Sequence, residues 1–459
     1  MNYTSISSDQ QREMLETIGV GSVDDLFAVI PEAARPDGPL DVPPPASELE
    51  LQQEIGRLAG RNRGASELVC FAGAGAYDHF APAFIDQMIS RGEFLTAYTP
   101  YQGEASQGSL QAFFEFQTQI ARLTGLEIAN ASLYEGASAT AEGVLLAINA
   151  TNLTRVLVAG TLHPDVRAVI RTVTSDLPVE VVEVAAGPGG VVDAAAVREA
   201  ADDKTACLVL GSPNLRGLVE DWEGCFAALK EQSPKALGVA VCNPTACALL
   251  KNPGSCGADI ACGEGQPLGI PLQFGGPYLG FFTAKKSLTR KMPGRLVSET
   301  RDAEGRRTFS LALQTREQHI RGAKATSNVC TNQGLLALRS TMYMSAMGPA
   351  GIREVAERCW HKAHWLAARI SELDGYELAD AGGTFFHEFV VRCPRPAQEV
   401  IDRAKARGVL AGVAMDSPRL SGGGGEPAGD GRELLIAVTE KRTKAEMETL
   451  IEALREAAA

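Results

Sequence analysis

The 459-residue chain contains no run of the roughly 18 consecutive apolar residues that a membrane-crossing helix needs. Its first 25 residues are polar and acidic. They lack the basic start and apolar stretch of an export signal, so a cytoplasmic protein is expected, without a membrane partner. Basic charge is in deficit: 43 Lys and Arg stand against 56 Asp and Glu, a net charge of −13. Nucleic acid is therefore a poor partner, because its phosphates demand a concentrated basic surface. No Cys-x-x-Cys pair occurs, and the local group Cys242, Cys247, Cys256 and Cys262 has no nearby histidine to complete a zinc pattern. No metal is expected, and the ten cysteines read as buried thiols of a reducing compartment.

What is present is material for a core. Hydrophobic residues make up 45% and charged residues 22%, which excludes a mainly disordered chain. The length allows two or three domains, or one large α/β core with appendages. Residues 1–64 read as an arm of short helices. Ser22-Val23-Asp24-Asp25 and Ser47-Glu48-Leu49-Glu50 have the spacing of capping boxes, and residues 31–45 are a proline-rich connector. From 65 to 340, β-rich runs near 155–159, 178–184, 206–210, 237–241 and 279–282 alternate with helical stretches, one of them capped by Asp193. That order implies a mostly parallel sheet covered on both faces. Residues 341–459 read as a smaller α+β domain. It has a helix over 352–373, β runs at 385–391 and 433–438, a glycine-rich loop at 422–425 and a closing helix over 443–457.

Four segments invite chemistry. Gly73-Ala74-Gly75-Ala76-Tyr77-Asp78 follows an apolar run, as a dinucleotide loop does. Asp78 takes the place of the third glycine and Glu93 only loosely meets the acidic position, so a tight glycine turn is the better reading. Tyr98-Thr99-Pro100-Tyr101-Gln102 is a polar loop that sets two tyrosine hydroxyls around a fixed proline turn. The small residues after Ser132 lead into a helix whose first amides suit either an anion or close packing on a sheet. Arg316, His319, Arg321 and Lys324, beside Thr326, Ser327 and Asn328, form a basic cluster in an acidic chain. Such a cluster grips a phosphate or carboxylate, or is a solvated, ion-paired face. The remaining histidines, His79, His163, His361, His364 and His387, read as structural or surface residues.

Taken together, several long segments resemble the P-protein of the glycine cleavage system, glycine dehydrogenase (decarboxylating). They are Tyr98-Thr99-Pro100-Tyr101-Gln102, Ser106-Gln107-Gly108, Ala129-Asn130-Ala131-Ser132, Gly275-Gly276-Pro277, Met292-Pro293-Gly294-Arg295, the run from Leu311 to Arg321, and Lys324-Ala325-Thr326-Ser327-Asn328. The resemblance spans nearly the whole chain and is closest to the N-terminal half, which in some members is a separate subunit. It implies an α/β fold of the fold-type I, aspartate aminotransferase-like class of pyridoxal-phosphate-dependent transferases. It implies decarboxylation of glycine, with transfer of the aminomethyl group to the lipoyl arm of the H-protein. Pyridoxal phosphate would be the electron sink.

This sequence departs from that pattern where the cofactor is held. The segment matching the Schiff-base region, Asp259 to Gly269, has no lysine, and Gln266 or Pro267 stands in its place. Cys242 or Asn243 stands where a carboxylate should meet the pyridinium nitrogen. Lys285 and Lys286 are the nearest later lysines. The expectation is a subunit inactive alone, with no catalytic lysine of its own. Pyridoxal phosphate would be bound by a homologous partner, subunit 2. Because fold-type I active sites lie at subunit interfaces, Tyr98, Thr99, Tyr101 and Gln102 are the first candidates for a shared site. Gln107, Arg316, His319, Lys324 and Thr326 are the second. Two alternatives stand beside this reading: a self-sufficient aminotransferase-like enzyme, and a module that only docks the H-protein.

Overall fold

A computed structural model describes residues 5–38, 40–273, 275–330, 332–420 and 430–458. The glycine-rich loop expected at 422–425 lies outside them. The chain divides into two compact units, Met1–Arg63 and Gly64–Ala459. In the first unit, Ser7 caps the helix Ser8–Ile18 and Ser47 caps Glu48–Ala59, each through a complete capping box. Around Ser22 the expected box forms its bonds, Asp25 Oδ2 accepting from the amides of Gly21 and Ser22. It opens only a 3₁₀ turn, Asp24–Phe27. Neither helix nor this turn buries a residue.

The second unit is built on a seven-stranded sheet. In spatial order its strands are Ile128–Ala129, Gly280–Ala284, Ile260–Glu264, Leu237–Cys242, Thr205–Ser212, Arg155–Ala159 and Glu180–Val184. Gly280–Ala284 runs antiparallel to both its neighbours, and the remaining pairs are parallel. Every residue of Thr205–Ser212 is buried, as expected of a strand covered on both faces. Asp193 caps Ala194–Ala200 through the amide of Ala196 at 2.7 Å. A four-stranded antiparallel sheet, in the order Glu377–Leu378, Glu388–Arg392, Glu433–Ala437 and Val413–Ala414, has its own core. There Val391, Leu434 and Ile436 pack with Val400 and Ile401 of helix Ala397–Ala406 and with Leu450 and Leu454 of helix Lys444–Ala458.

The structure departs from the sequence reading at three places. The helix expected over 352–373 is Gly334–Ile370, broken at Gly348 (φ 61°, ψ 177°) just before Pro349. Proline's missing N–H reads in sequence as a helix start, whereas the chain is helical on both sides of it. The hairpin Leu296–Arg301 with Arg307–Ala312 was not anticipated, because its exposed charged residues blur the apolar alternation. The short strand Val69–Cys70 does not enter the main sheet; it pairs with Val409–Leu410.

The two sheets meet where the amide of Phe386 bonds the carbonyl of Gly217 and that of Val219 bonds Thr384. Gly217 has φ +85°, and a Cβ there would overlap the carbonyl of Glu388. Gly217→Ala should lower stability by about 3 kcal/mol, from overpacking and the left-handed penalty together. Gly257 has φ +87° with nothing within 4 Å of a Cβ, so Gly257→Ala bears the conformational penalty alone, about 1 kcal/mol. Equal shifts in thermal midpoint for the two variants would contradict this packing at Gly217.

Candidate functional site

A cavity of about 560 Å³ opens at the carboxyl ends of the parallel strands, where Gly211, Cys242 and Glu264 line it. That is where open α/β sheets bind ligands. The helix Gly136–Thr151 presents its N-terminus to the same space, a geometry suited to an anion. Here the protein's own carboxylates occupy those amides. Glu135 accepts from Ala137 N at 2.6 Å and Ser138 N at 2.8 Å, and Glu264 accepts from Gly136 N at 3.1 Å. Glu264 also takes the amides of Gln266 at 3.0 Å and Leu279 at 2.9 Å. Burial raises its carboxyl to about 7 even though these three N–H groups pull it down. The open question about the segment after Ser132 is thus answered: the helix start is an anion site filled from within.

Gln266 is fully buried. Its side chain exchanges hydrogen bonds with both backbone groups of Tyr77, at 2.8 and 2.9 Å, and donates to the carbonyl of Ile270 at 2.7 Å. It thereby holds the 73–77 segment, which is the tight turn expected, with Ala74 at φ 64° and Gly75 at φ 105°. Glu388 closes that turn, accepting from Ala74 N at 2.8 Å and Tyr77 OH at 2.7 Å. Burial raises its carboxyl to about 7. Asn243 uses its carbonyl oxygen on the amide of Thr245 at 2.9 Å. The Cys242 thiol is held protonated by its contact with Cys247 and by burial. No lysine lines the cavity among the described residues. Lys285 lies at the opposite end of the sheet, 2.6 Å from Asp259, beside Ala284, which pairs with Ile260, the first residue of its strand.

The histidines divide. His364 stacks on Phe385 at 3.9 Å and is structural, as expected. His163 and His387 line the cavity, which the sequence reading missed. His79 is buried with its Nδ1 2.6 Å from Glu440, whose carboxylate also receives Cys359 Sγ–H at 3.4 Å. The His79, Cys359 and Glu440 ligand atoms all fall within 4.8 Å of one another. The pair at 2.6 Å is a direct hydrogen bond, closer than two ligands of one ion stand. Although burial opposes it, the bond to His79 brings Glu440 down to about 2. All ten cysteines are free thiols; Cys330 is exposed and Cys247 half-buried, against the uniform burial expected.

The sequence-derived candidates lie elsewhere, around a buried ion pair. Arg295 and Glu317 are nearly fully buried and 3.7 Å apart. Arg295 donates to the carbonyl of Cys330 at 2.6 Å and to Tyr101 OH at 3.3 Å. Tyr101 meets the His319 ring edge-on at 5.3 Å, and His319 is 3.7 Å from Glu317. Tyr101 and His319 are therefore brought together. Arg295 and Glu317, present in the quoted motifs, were missed as site residues; the single charge of Arg295 between Gly294 and Leu296-Val297 was the available signal, whereas Glu317 lies in a polar run that offers none. Tyr98 is 82% exposed. Thr99 and Gln102 shape the loop through their carbonyls, which accept from Tyr101 N and Ser106 N. Gln107 is a clamp instead of a ligand-facing group: it bonds the carbonyls of Gly103 and Phe309 and the amide of Phe309. Arg316 does not grip an external anion, because its guanidinium is buried against the carbonyls of Leu313, Met292 and Gly294. Thr326 is half-buried, its amide on the carbonyl of Arg316, and Lys324 is exposed.

A family model described as the glycine cleavage system P-protein matches residues 1–454. A probable glycine dehydrogenase (decarboxylating) subunit 1 from Thermomicrobium roseum is 46% identical over 461 residues, covering all of both chains. A crystal structure of glycine decarboxylase (P-protein) of the glycine cleavage system, in inhibitor-bound form, superposes with TM-score 0.88 at 42% identity over the full length of both. An aspartate aminotransferase from Thermus thermophilus shares the fold alone, with TM-score 0.56 at 15% identity over 85% of this chain and 98% of that one. The architecture is that of the fold-type I pyridoxal-phosphate enzymes, as the sequence reading expected, and among the described residues no helix is long and apolar enough to cross a membrane. With its full length matched and its sheet order and strand ends accounted for, the chain belongs to the glycine cleavage system P-protein family, as an enzyme subunit of that system.

Proposed function

We propose that this chain is the partner subunit of a two-subunit glycine decarboxylase: it completes a site whose lysine and cofactor belong to a homologous second subunit. In this reading the assembled enzyme, in the cytoplasm, decarboxylates glycine and passes the aminomethyl group to the lipoyl arm of the H-protein. One observation carries the division of labour: the chain's own strand-end cavity has its helix N-terminus capped by Glu135 and Glu264 and no lysine among its described lining residues. Those residues do not suit pyridoxal phosphate. Its phosphate would meet two carboxylates at the amides it needs, no amine is placed for a Schiff base, and Asn243 offers the ring nitrogen an amide instead of a carboxylate.

The contribution to the shared site is assigned to Tyr101 and His319, with Arg295 and Glu317 fixing their positions. Tyr98, Thr99, Gln102, Lys324 and Thr326 shape the surface that meets the partner. Exposed apolar side chains in the same region, among them Leu95, Tyr98 and Ile320, support a face that is covered on assembly. The test is co-expression with the lysine-bearing subunit, followed by measurement of assembly size and glycine-dependent carbon dioxide exchange. Exchange should require both subunits, and borohydride trapping should label a lysine of the partner only. A labelled lysine in this chain, or exchange by this chain alone, would remove the proposal in favour of a self-sufficient enzyme. Full exchange by the partner alone would leave this chain a docking module for the H-protein.

A further inference from the structure

We propose that the strand-end cavity of this chain is itself a binding site, for a small alkyl amine that presents a primary ammonium group. Three observations point to that chemistry. The first is charge. Among the described lining residues the carboxyl groups are those of Glu135, Asp165, Glu264 and Glu388, and the one guanidinium, that of the mostly exposed Arg419, pairs through its Nε with Asp165 at 3.1 Å. The positive pole of the Gly136–Thr151 helix, which would otherwise favour an anion, is neutralised by Glu135 and Glu264. A phosphate would face like charges here and a cation opposite ones, most fully above about pH 7, where Glu264 and Glu388 carry their charge.

The second observation is an unmet acceptor. His387 lines the cavity, is 1% exposed, and neither of its ring nitrogens has a hydrogen-bond partner. Buried polar groups are ordinarily paired. Burial, reinforced by His79, keeps this imidazole neutral, so one of its nitrogens is a free acceptor and the other a free N–H donor. Ser417 Oγ, also lining the cavity and buried, is unpartnered too. The third observation is size and shape. The volume of about 560 Å³ lies in the range of small-molecule sites, and Leu162, Leu215, Val413 and Leu420 supply apolar wall for an alkyl body. Charged wall, neutral acceptor and apolar surface together recognise an N–H donor on a short hydrocarbon chain.

Calorimetric titration of the full-length chain at pH 8, where Glu264 and Glu388 are mostly charged, tests this with 1,3-diaminopropane as the probe. One saturable site is expected for the diamine and none for 1,3-propanediol, which has the same length without charge. Glu388→Gln should weaken binding by about tenfold or more, through loss of one charge-assisted contact. Ala137→Phe, which adds bulk to the lining without altering any carboxyl, should abolish it. If Glu388→Gln fails to fold, the diol and Ala137→Phe comparisons still decide. Absence of a saturable site would overturn the proposal. So would binding of equal strength in the variants, which marks association with the acidic surface, and so would saturation by inorganic phosphate or pyridoxal phosphate.

Discussion

Asp78→Ala should lower the stability of the folded chain by about 3–5 kcal/mol, the range observed when one partner of a buried ion pair is removed. Asp78 is nearly buried and holds two cations, Lys441 Nζ and Arg442 Nη2, each at 2.7 Å. The two differ in what they can do without it. Lys441 is 37% exposed and can turn to water, but the Arg442 side chain is 2% exposed. Its remaining ionic contact, to Glu446, is 3.5 Å long, and the Phe71 ring lies 6.0 Å away. The cost is therefore that of a guanidinium left in a low-dielectric site. Asp78→Asn keeps the shape and one acceptor and should fall between. Glu93→Ala, which breaks the exposed pair with Arg91, should produce no measurable change and serves as the comparison. The readout is the thermal midpoint by calorimetry, with the order Glu93→Ala, Asp78→Asn, Asp78→Ala. An Asp78→Ala midpoint equal to that of Glu93→Ala would remove the buried pair from any account of stability.

The second large effect is on activity. In the assembled enzyme, Arg295→Ala should reduce glycine-dependent exchange by about a hundredfold, the loss typical when a reacting constellation is displaced by about 1 Å. Arg295 ties three separate pieces of chain together: the Tyr101 loop, the carbonyl of Cys330 and Glu317 beside His319. Without it, Glu317 loses its buried guanidinium partner and His319 loses the anchor of the carboxylate beside it. Tyr101→Phe deletes only the hydroxyl and should retain both fold and assembly, with a smaller loss. Assembly size separates the two causes: a complex that forms normally yet turns over slowly marks a positioning role, whereas a complex that fails to form marks a structural one. Wild-type exchange in Arg295→Ala would exclude the Tyr101–His319 cluster from the shared site.

Much of the fold was legible because it is local. The strand Arg155–Ala159 and the caps at Ser47 and Asp193 are each written in a handful of adjacent residues. The candidate cavity was not legible, because its decisive contacts join distant positions. Glu264 reaches Gly136 across 128 positions, and Glu388 reaches Ala74 across 314. The same limit explains Arg316. In sequence it is one cation among several; in the structure it is a brace for backbone carbonyls, and nothing in its neighbours names those carbonyls. The absence of a lysine from the segment after Asp259 was legible as a gap. That the gap is accompanied by carboxylates at the helix start needed three dimensions.

The pairing of Val69–Cys70 with Val409–Leu410, and of Asp78 with Arg442 across 364 positions, also has a meaning in time. At a synthesis rate of about 5–20 residues per second, Asp78 leaves the ribosome roughly 20–70 s before its guanidinium. The large sheet can assemble in that interval, but the segment that precedes it in sequence cannot dock. Until then its aromatic residues, Phe71 and Tyr77, lack the C-terminal surface that buries them. The first residues of this unit to be made are thus among the last to be placed, and during production they are where a chaperone would find the chain.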